Sequence, residues 1–245
     1  METVMKIAII TAMPQESRAI LKRAKRIEKT PLGDRRACHC RIAGHDVTLV
    51  EAGMGMLNAG WAASILAAES PDLLVSAGFG GGVLPGLRAG DVVLAERVLH
   101  WTGSGFERVA ANFYGQGAAA NPGLALRGEF ITSDGILNKH QLVAVLPRDA
   151  HRPVVEMESA AVARVAAEHG IPFMGVRAIS DPWDEELGFA IDEFCDDNKQ
   201  IRPLKVFATI LQRPGIIPQL IRLGWNSWVA AKRLGRAVER LLGQM

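Results

Sequence analysis

The sequence predicts an α/β fold, a sheet of buried strands covered by helices on both faces. Three observations predict it. Apolar runs of strand length recur at Ile7–Ala12, Asp46–Ala52, Leu73–Ala77, Asp91–Ala95 and Phe173–Ile179, and they read as near-continuous Val, Ile, Leu and Ala. Helical stretches, notably Leu57–Glu69 and Glu158–His169, lie between them. The 245 residues are 49% hydrophobic and 22% charged, enough to bury one full core and too apolar for a disordered chain.

The elements follow in order. Lys6 precedes the apolar run Ile7–Met13, which ends in Pro14-Gln15-Glu16 and lacks the small-residue cleavage pattern of a signal peptide. It reads as the first buried strand of a cytoplasmic protein. Ala37–Ile42 reads as a strand, so the neighbours in Cys38-His39-Cys40 point to opposite faces, and no further ligands stand at zinc spacing. No metal is expected. Cys38, Cys40 and Cys195 are odd in number and scattered, which suits a reducing compartment.

Two glycine-rich segments resemble phosphate-binding turns. Gly53-Met54-Gly55-Met56-Leu57-Asn58 follows a strand and opens a helix, but Asn58 takes the place of the last Gly or Ala of a dinucleotide fingerprint. The nearest acidic residue about 20 positions on, Asp72, precedes the next strand. Gly78-Phe79-Gly80-Gly81-Gly82 runs into Val83-Leu84-Pro85 rather than a helix. Neither makes a nicotinamide site. Both bring backbone close to something at a strand end, where α/β sheets hold ligands. The stretch from Gly103 to Gly128, rich in Gly, Ala and Asn, reads as a loop. The helix Glu158–His169 stops at Gly170 with Pro172 beyond. After Arg213, Pro214 and Pro218, a helical pattern runs to about Leu242. It places Ile217, Ile221, Trp228, Val238 and Leu242 on one side and Arg222, Asn226, Arg233, Arg236 and Arg240 on the other.

Three carboxylates stand at the edges of apolar elements. Glu16 follows the first strand, Glu158 lies where a strand hands over to a helix, and Asp181 ends the strand Val176-Arg177-Ala178-Ile179-Ser180. Singly, each has an ordinary explanation: a solvated first helical turn, a helix N-terminus, a turn before Pro182. Together they stand at strand ends on one side of one predicted sheet.

At these residues the chain resembles the purine nucleoside phosphorylase and nucleosidase superfamily, especially the 5'-methylthioadenosine/S-adenosylhomocysteine nucleosidases. The matching blocks are Ile7–Glu16, Gly53-Met54-Gly55, Gly78–Gly82 with Gly90-Asp91-Val92-Val93, and above all Val155-Glu156-Met157-Glu158 through Val176–Asp181. The resemblance implies a three-layer α/β/α fold with a central mixed sheet, a homo-oligomer, and cleavage of the N-glycosidic bond of a purine nucleoside. It implies Asp181 as the acid at the leaving base, Glu158 with Met157 at the ribose, and Glu16 as the carboxylate that orients the attacking water. Met13, Met54, Phe79, Gly80, Ile136, Leu137 and Ser180 would form the base and 5'-group pocket. The chain departs from the nucleosidases in two places: Ile136 replaces the purine-stacking aromatic, and Phe79 replaces the Ser of the glycine-rich loop. No Gly-Asp-Pro-x-Arg turn matches a phosphate cradle, and Glu16 would repel phosphate, so hydrolysis is favoured. No cofactor is implied; phosphate would be a co-substrate only of a phosphorylase.

The formal charge of +2 gives no reason to invoke nucleic acid. It is unevenly spread: residues 213–245 carry six Lys/Arg and one Glu, leaving 22 basic and 25 acidic residues elsewhere. The expected organisation is a catalytic domain over 1–212 and a basic amphipathic helical extension over 213–245. Basic residues beside Trp225 and Trp228 suit an anionic membrane surface, so peripheral membrane contact is expected through that extension. With Arg202-Pro203 and Arg213-Pro214-Gly215, the chain resembles the hopanoid-associated branch of the superfamily, which implies an adenosyl group on a lipid as substrate. The competing reading is a nucleoside- or lipid-binding protein that keeps the fold and lacks turnover.

Overall fold

A computed structural model of the chain describes residues 3–33, 35–114, 124–135, 137–184 and 217–245. In chain order its elements are β1 (Lys6–Thr11), α1 (Pro14–Leu21), β2 (Lys25–Leu32), β3 (Arg35–Ile42), β4 (His45–Glu51), α2 (Met56–Ala67), β5 (Leu73–Gly82) and β6 (Val92–Trp101). There follow β7 (Phe106–Arg108), β8 (Leu126–Ser133), α3 (Lys139–Val145), β9 (Val154–Glu156), α4 (Ser159–Glu168), β10 (Phe173–Asp181) and α5 (Ile217–Leu242).

All ten strands form one mixed sheet with β5 at its centre. β5 pairs with β1 and β10 in parallel and with β9 antiparallel. The path β5–β10–β6–β8–β9 returns to β5, so these five strands close a ring, while β1, β4, β3 and β2 extend from it as an open arm. Side-chain alternation in the buried strands feeds two cores. Ala8, Ile10, Leu74 and Phe173 pack under α2 and α4, whereas Ile7, Ile9, Leu73, Val75 and Val176 pack under α1 and α5. This is a three-layer α/β/α arrangement. α2 and α4 pack in one cluster that includes Ala59, Ala62, Ala63, Ala160, Ala163 and Ala166, and a Cβ on Gly60 would stand 3.6 Å from Ala161.

Several sequence expectations change. The glycines Gly78–Gly82 form no turn; they are the second half of β5, in register with Arg177 at Gly78, Ile179 at Gly80 and Val155 at Gly81. They are glycine because neighbouring strands crowd them: a Cβ on Gly80 would clash with Val154. The stretch expected as a loop from Gly103 holds β7 and runs into β8; residues 115–123 lie outside the described residues. β2, whose residues are mostly exposed, gave no apolar run to find.

The faces of α5 also differ from expectation. Its packing face is Ala230, Leu234, Ala237, Val238, Leu241 and Leu242, and Asn226 is buried, while Ile221, Trp225 and Trp228 are exposed. Small residues set this choice. A Cβ on Gly235 would collide with the Ala19 carbonyl of α1, and one on Gly90 would stand 2.7 Å from Val229. Val238 and Leu242 pack as expected, and the closest approaches to the domain are made at small residues. Cys195, Arg213 and Pro214 lie outside the described residues, as does the side chain of Ile217. Among the described residues no helix is long and apolar enough to cross a membrane. None of them form a group of three or more His, Cys, Asp or Glu able to hold a metal ion.

Candidate active site

Glu16 is set by the way β1 hands over to α1. Pro14 occupies the first helical turn, where its missing N–H is no loss, and Glu16 follows at the third position. Its carboxylate folds back to accept the N–H groups of Ala12 at 2.9 Å and Met13 at 2.8 Å. The other oxygen accepts the Phe79 N–H of β5 at 2.7 Å. It fills the space a side chain at 78 would take, since a Cβ on Gly78 would stand 2.8 Å from Oε1. Far from lying in a solvated turn, Glu16 is buried. Burial lifts its carboxyl above the ordinary range, against the Phe79 and Met13 N–H donors and the Arg177 charge.

Glu158 and Glu156 meet around one arginine. Arg177, fully buried on β10, pairs with Glu156 and donates to the Ser76 carbonyl at 3.0 Å and the Ser76 hydroxyl at 2.9 Å. Glu156 also accepts from the Thr132 hydroxyl and from the N–H groups of Glu158 at 3.1 Å and Ser159 at 2.8 Å, so it tethers the N-terminus of α4. Burial opposes its charge, but Arg177 and these donors outweigh it and hold Glu156 below the usual range. Glu158 stands 3.5 Å from Arg177 and accepts the Gly55 N–H at 2.9 Å. That bond explains the Gly53-Met54-Gly55 turn. Gly53 at φ +85 and Gly55 at φ +93 hold a left-handed backbone that aims an amide at a carboxylate, not at a phosphate. Burial, then the Glu156 charge, push Glu158 up to about 7.

Asp181 closes β10 and is half-buried, with Oδ2 2.7 Å from Lys139 Nζ of α3. Ser180, buried, donates to Oδ1 at 2.7 Å. A Cβ on Gly81 would stand 2.6 Å from Asp181 Oδ2. Glu16 and Asp181 thus occupy the room left by two glycines of one strand, and Glu158 is close enough to Glu16 to feel its charge.

The remaining expected residues divide. Met13 and Met54 line a cleft of about 1210 Å³ together with Gly53, Gly55, Leu57 and Asn58. Met157 is half-buried beside Glu158 and does not line that cleft, nor do Ser180 and Leu137. Leu137 packs against Val83, Ile131 and Leu142. Phe79 packs with the core under α1 and α5 and contributes its backbone N–H to Glu16, and Gly80 is buried against Val154. Ile136 lies outside the described residues. Sequence reasoning missed Arg177, Glu156, Thr132 and Lys139. A charge inside the apolar run Val176–Ile179 was the available signal for Arg177; Lys139 carried none. The arrangement offers a solvent-reachable carboxyl at Asp181, a buried carboxylate held by backbone amides at Glu16, and a carboxyl poised between charge states at Glu158.

The model of the Phosphorylase superfamily matches residues 6–212. The 5'-methylthioadenosine/S-adenosylhomocysteine nucleosidase of Geobacillus kaustophilus is 32% identical over 213 residues, covering 78% of this chain and 91% of its own. Among solved structures, the nucleosidase of the same name from Colwellia psychrerythraea, in complex with adenine, superposes with a TM-score of 0.73 at 22% identity, covering 99% of this chain and 96% of its own. That of Neisseria meningitidis, in complex with methylthio-immucillin-A, gives 0.71 at 20% identity, covering 99% and 100%.

Proposed function

The chain belongs to the phosphorylase superfamily and is an enzyme of N-glycosyl bond cleavage, and from that premise we propose that it hydrolyses an adenine nucleoside carrying a modified 5'-position. The observation that supports this most is the placing of Glu16 and Asp181 against Gly78 and Gly81 of β5, with Glu158 near enough to Glu16 to feel its charge. Cleaving a ribosyl–purine bond leaves positive charge on the sugar and negative charge on the base. Asp181, half-buried and reachable, is assigned to protonate or hydrogen-bond the leaving purine, a contribution of about 10²–10⁴-fold in rate. Glu158 is assigned to the ribose hydroxyls, where its ionised form accepts hydrogen bonds and favours the cationic sugar. Glu16 is assigned to orient the attacking water and take its proton. Its carboxylate stands where a phosphate nucleophile would meet like charge, which favours water. The reaction so drawn needs no cofactor.

Met13 and Met54 suit the 5'-substituent with soft apolar surface. Leu57, 92% exposed at the rim of the same cleft, supports assembly into a homo-oligomer that covers it. Sedimentation of the full chain tests that point; a monomer at all concentrations counts against it.

The test of the reaction is release of free adenine from 5'-methylthioadenosine, adenosine and an adenosyl-lipid, with and without phosphate. Release without phosphate is expected. Release only with phosphate makes the enzyme a phosphorylase, and none from any substrate favours a binding protein. Asp181→Asn is expected to lower turnover by about 10²-fold or more while nucleoside affinity holds; normal turnover sinks its assignment.

A finer reading concerns the 5'-group. Ile221, Trp225 and Trp228 are exposed on α5 beside Arg222, Lys232 and Arg233, with Lys232 over the Trp228 ring at 5.2 Å. An apolar and basic surface of this kind suits an anionic membrane and so a lipid-linked substrate such as an adenosyl-hopanoid. On this reading the second half of α5 packs on the catalytic domain while its first half meets lipid. Flotation with anionic liposomes is expected to fall for Trp225→Ser/Trp228→Ser; equal flotation removes the membrane reading.

A further inference from the structure

We propose that Lys139 is a positioning residue for Asp181, holding its carboxylate where it accepts the N–H of the departing purine, whose proton comes from solvent; this rests on the reading of Asp181 as the group at the leaving base. Lys139 opens α3 just after Asn138, whose side chain caps the helix by accepting the Gln141 N–H at 3.0 Å. Only 8% of Lys139 is exposed. A lysine so enclosed is unusual, because its ammonium is strongly hydrated and burial without partners is expensive. The compensation is complete. Nζ stands 2.7 Å from Asp181 Oδ2 and donates to the main-chain oxygens of Asp181 at 2.9 Å and Pro182 at 2.8 Å. An ammonium has three N–H donors, and here each has an acceptor.

All three acceptors belong to Asp181 and Pro182, at and just past the end of β10, so a residue from another element fixes both the carboxyl and the backbone that carries it. The grip is closed on its other sides. Ser180 donates to Oδ1 at 2.7 Å, and the missing side chain of Gly81 leaves the room the pair fills: a Cβ there would stand 2.6 Å from Oδ2 and 3.1 Å from Lys139 Cε. A carboxylate that hydrogen-bonds a leaving base acts only within reach of that base, and misplacement by about 1 Å costs about 10²-fold. Lysine in this place supplies that constraint; a lysine serving solubility would stand in water.

The test is a double-mutant cycle on the full chain, comparing wild type, Lys139→Met, Asp181→Asn and the double variant, with Lys139→Arg as the conservative change. Adenine release from 5'-methylthioadenosine gives kcat and KM, calorimetry gives adenine affinity, and thermal melts confirm folding. Lys139→Met is expected to lower kcat by about 10²-fold with KM changed by less than about threefold, and Lys139→Arg to restore about tenfold of it. In the Asp181→Asn background the same change is expected to cost less than about twofold, because its effect passes through the carboxyl. An equal loss in both backgrounds, or a loss confined to KM, overturns the proposal. If wild type releases no adenine, the functional reading fails instead. The cycle is then read in adenine affinity, where coupling above about tenfold is expected and additivity overturns the proposal. Should Lys139→Met fail to fold, Lys139→Gln, which keeps an N–H donor without the charge, takes its place.

Discussion

Glu156 and Glu158 are two residues apart, yet their surroundings drive them in opposite directions. Arg177 and three further donors keep Glu156 ionised, whereas burial and the Glu156 charge hold the proton on Glu158 up to about 7. Two consequences follow from the sign of the second shift. Because the folded carboxyl keeps its proton above the ordinary carboxylate range, its contribution to stability is present at low pH and is lost as pH rises through about 7. Ribose binding needs the ionised form, so kcat/KM is expected to rise with pH across the same window. Glu158→Gln is expected to remove that limb, to flatten the pH dependence of the melting temperature there, and to lower kcat/KM by about 10²-fold; a profile like that of wild type contradicts the assignment. Arg177 has a different part. Arg177→Met strands Glu156 as a buried charge and is expected to destabilise the fold by about 3–5 kcal/mol in denaturant titration.

At the scale of elements, the glycines of β5 separate site from scaffold. A methyl group at Gly78 meets the Glu16 carboxylate, which makes three backbone bonds and has nowhere to move. Gly78→Ala is therefore expected to fold and to lose activity, by about 10²-fold in kcat. Gly235→Ala presses a methyl group on the Ala19 carbonyl, far from the carboxylates, and is expected to lower stability by about 1–3 kcal/mol while kcat holds. Reversal of these two outcomes, read by assay and thermal melt, contradicts the division. The buried strands and the helices α2 and α4 were readable in the residues because their apolar runs have strand or helix length. The glycine half of β5 was misread since glycine signals a turn by local preference, and only pairing to β9 and β10 makes it a strand. The faces of α5 were read in part: Val238 and Leu242 pack and the arginines face out as expected, whereas Ile221 and Trp228 are exposed and Asn226 is buried, because close approach of α1 at Gly235 sets the helix's rotation. That Glu16, Glu158 and Asp181 stand at element edges was readable from the apolar runs beside them. Lys139 was not, because its neighbourhood with Asp181 arises only when α3 and β10 meet.

The whole molecule closes five strands into a ring and extends the rest as an arm, so that the ends of β1, β9 and β10 come together beside β5. Its charge follows the same division of labour. The region 213–245 carries six basic residues and one acidic, and the carboxylates proposed to act lie elsewhere, at the sheet. The claim that ties these scales together is that water, oriented by Glu16, attacks the sugar carbon as the base departs. It is tested most directly by running the reaction on 5'-methylthioadenosine in heavy-oxygen water without phosphate and weighing the released sugar. One labelled oxygen in the sugar, with free adenine alongside, is the expected result. An unlabelled sugar phosphate that forms only when phosphate is added, or no adenine at all, contradicts it.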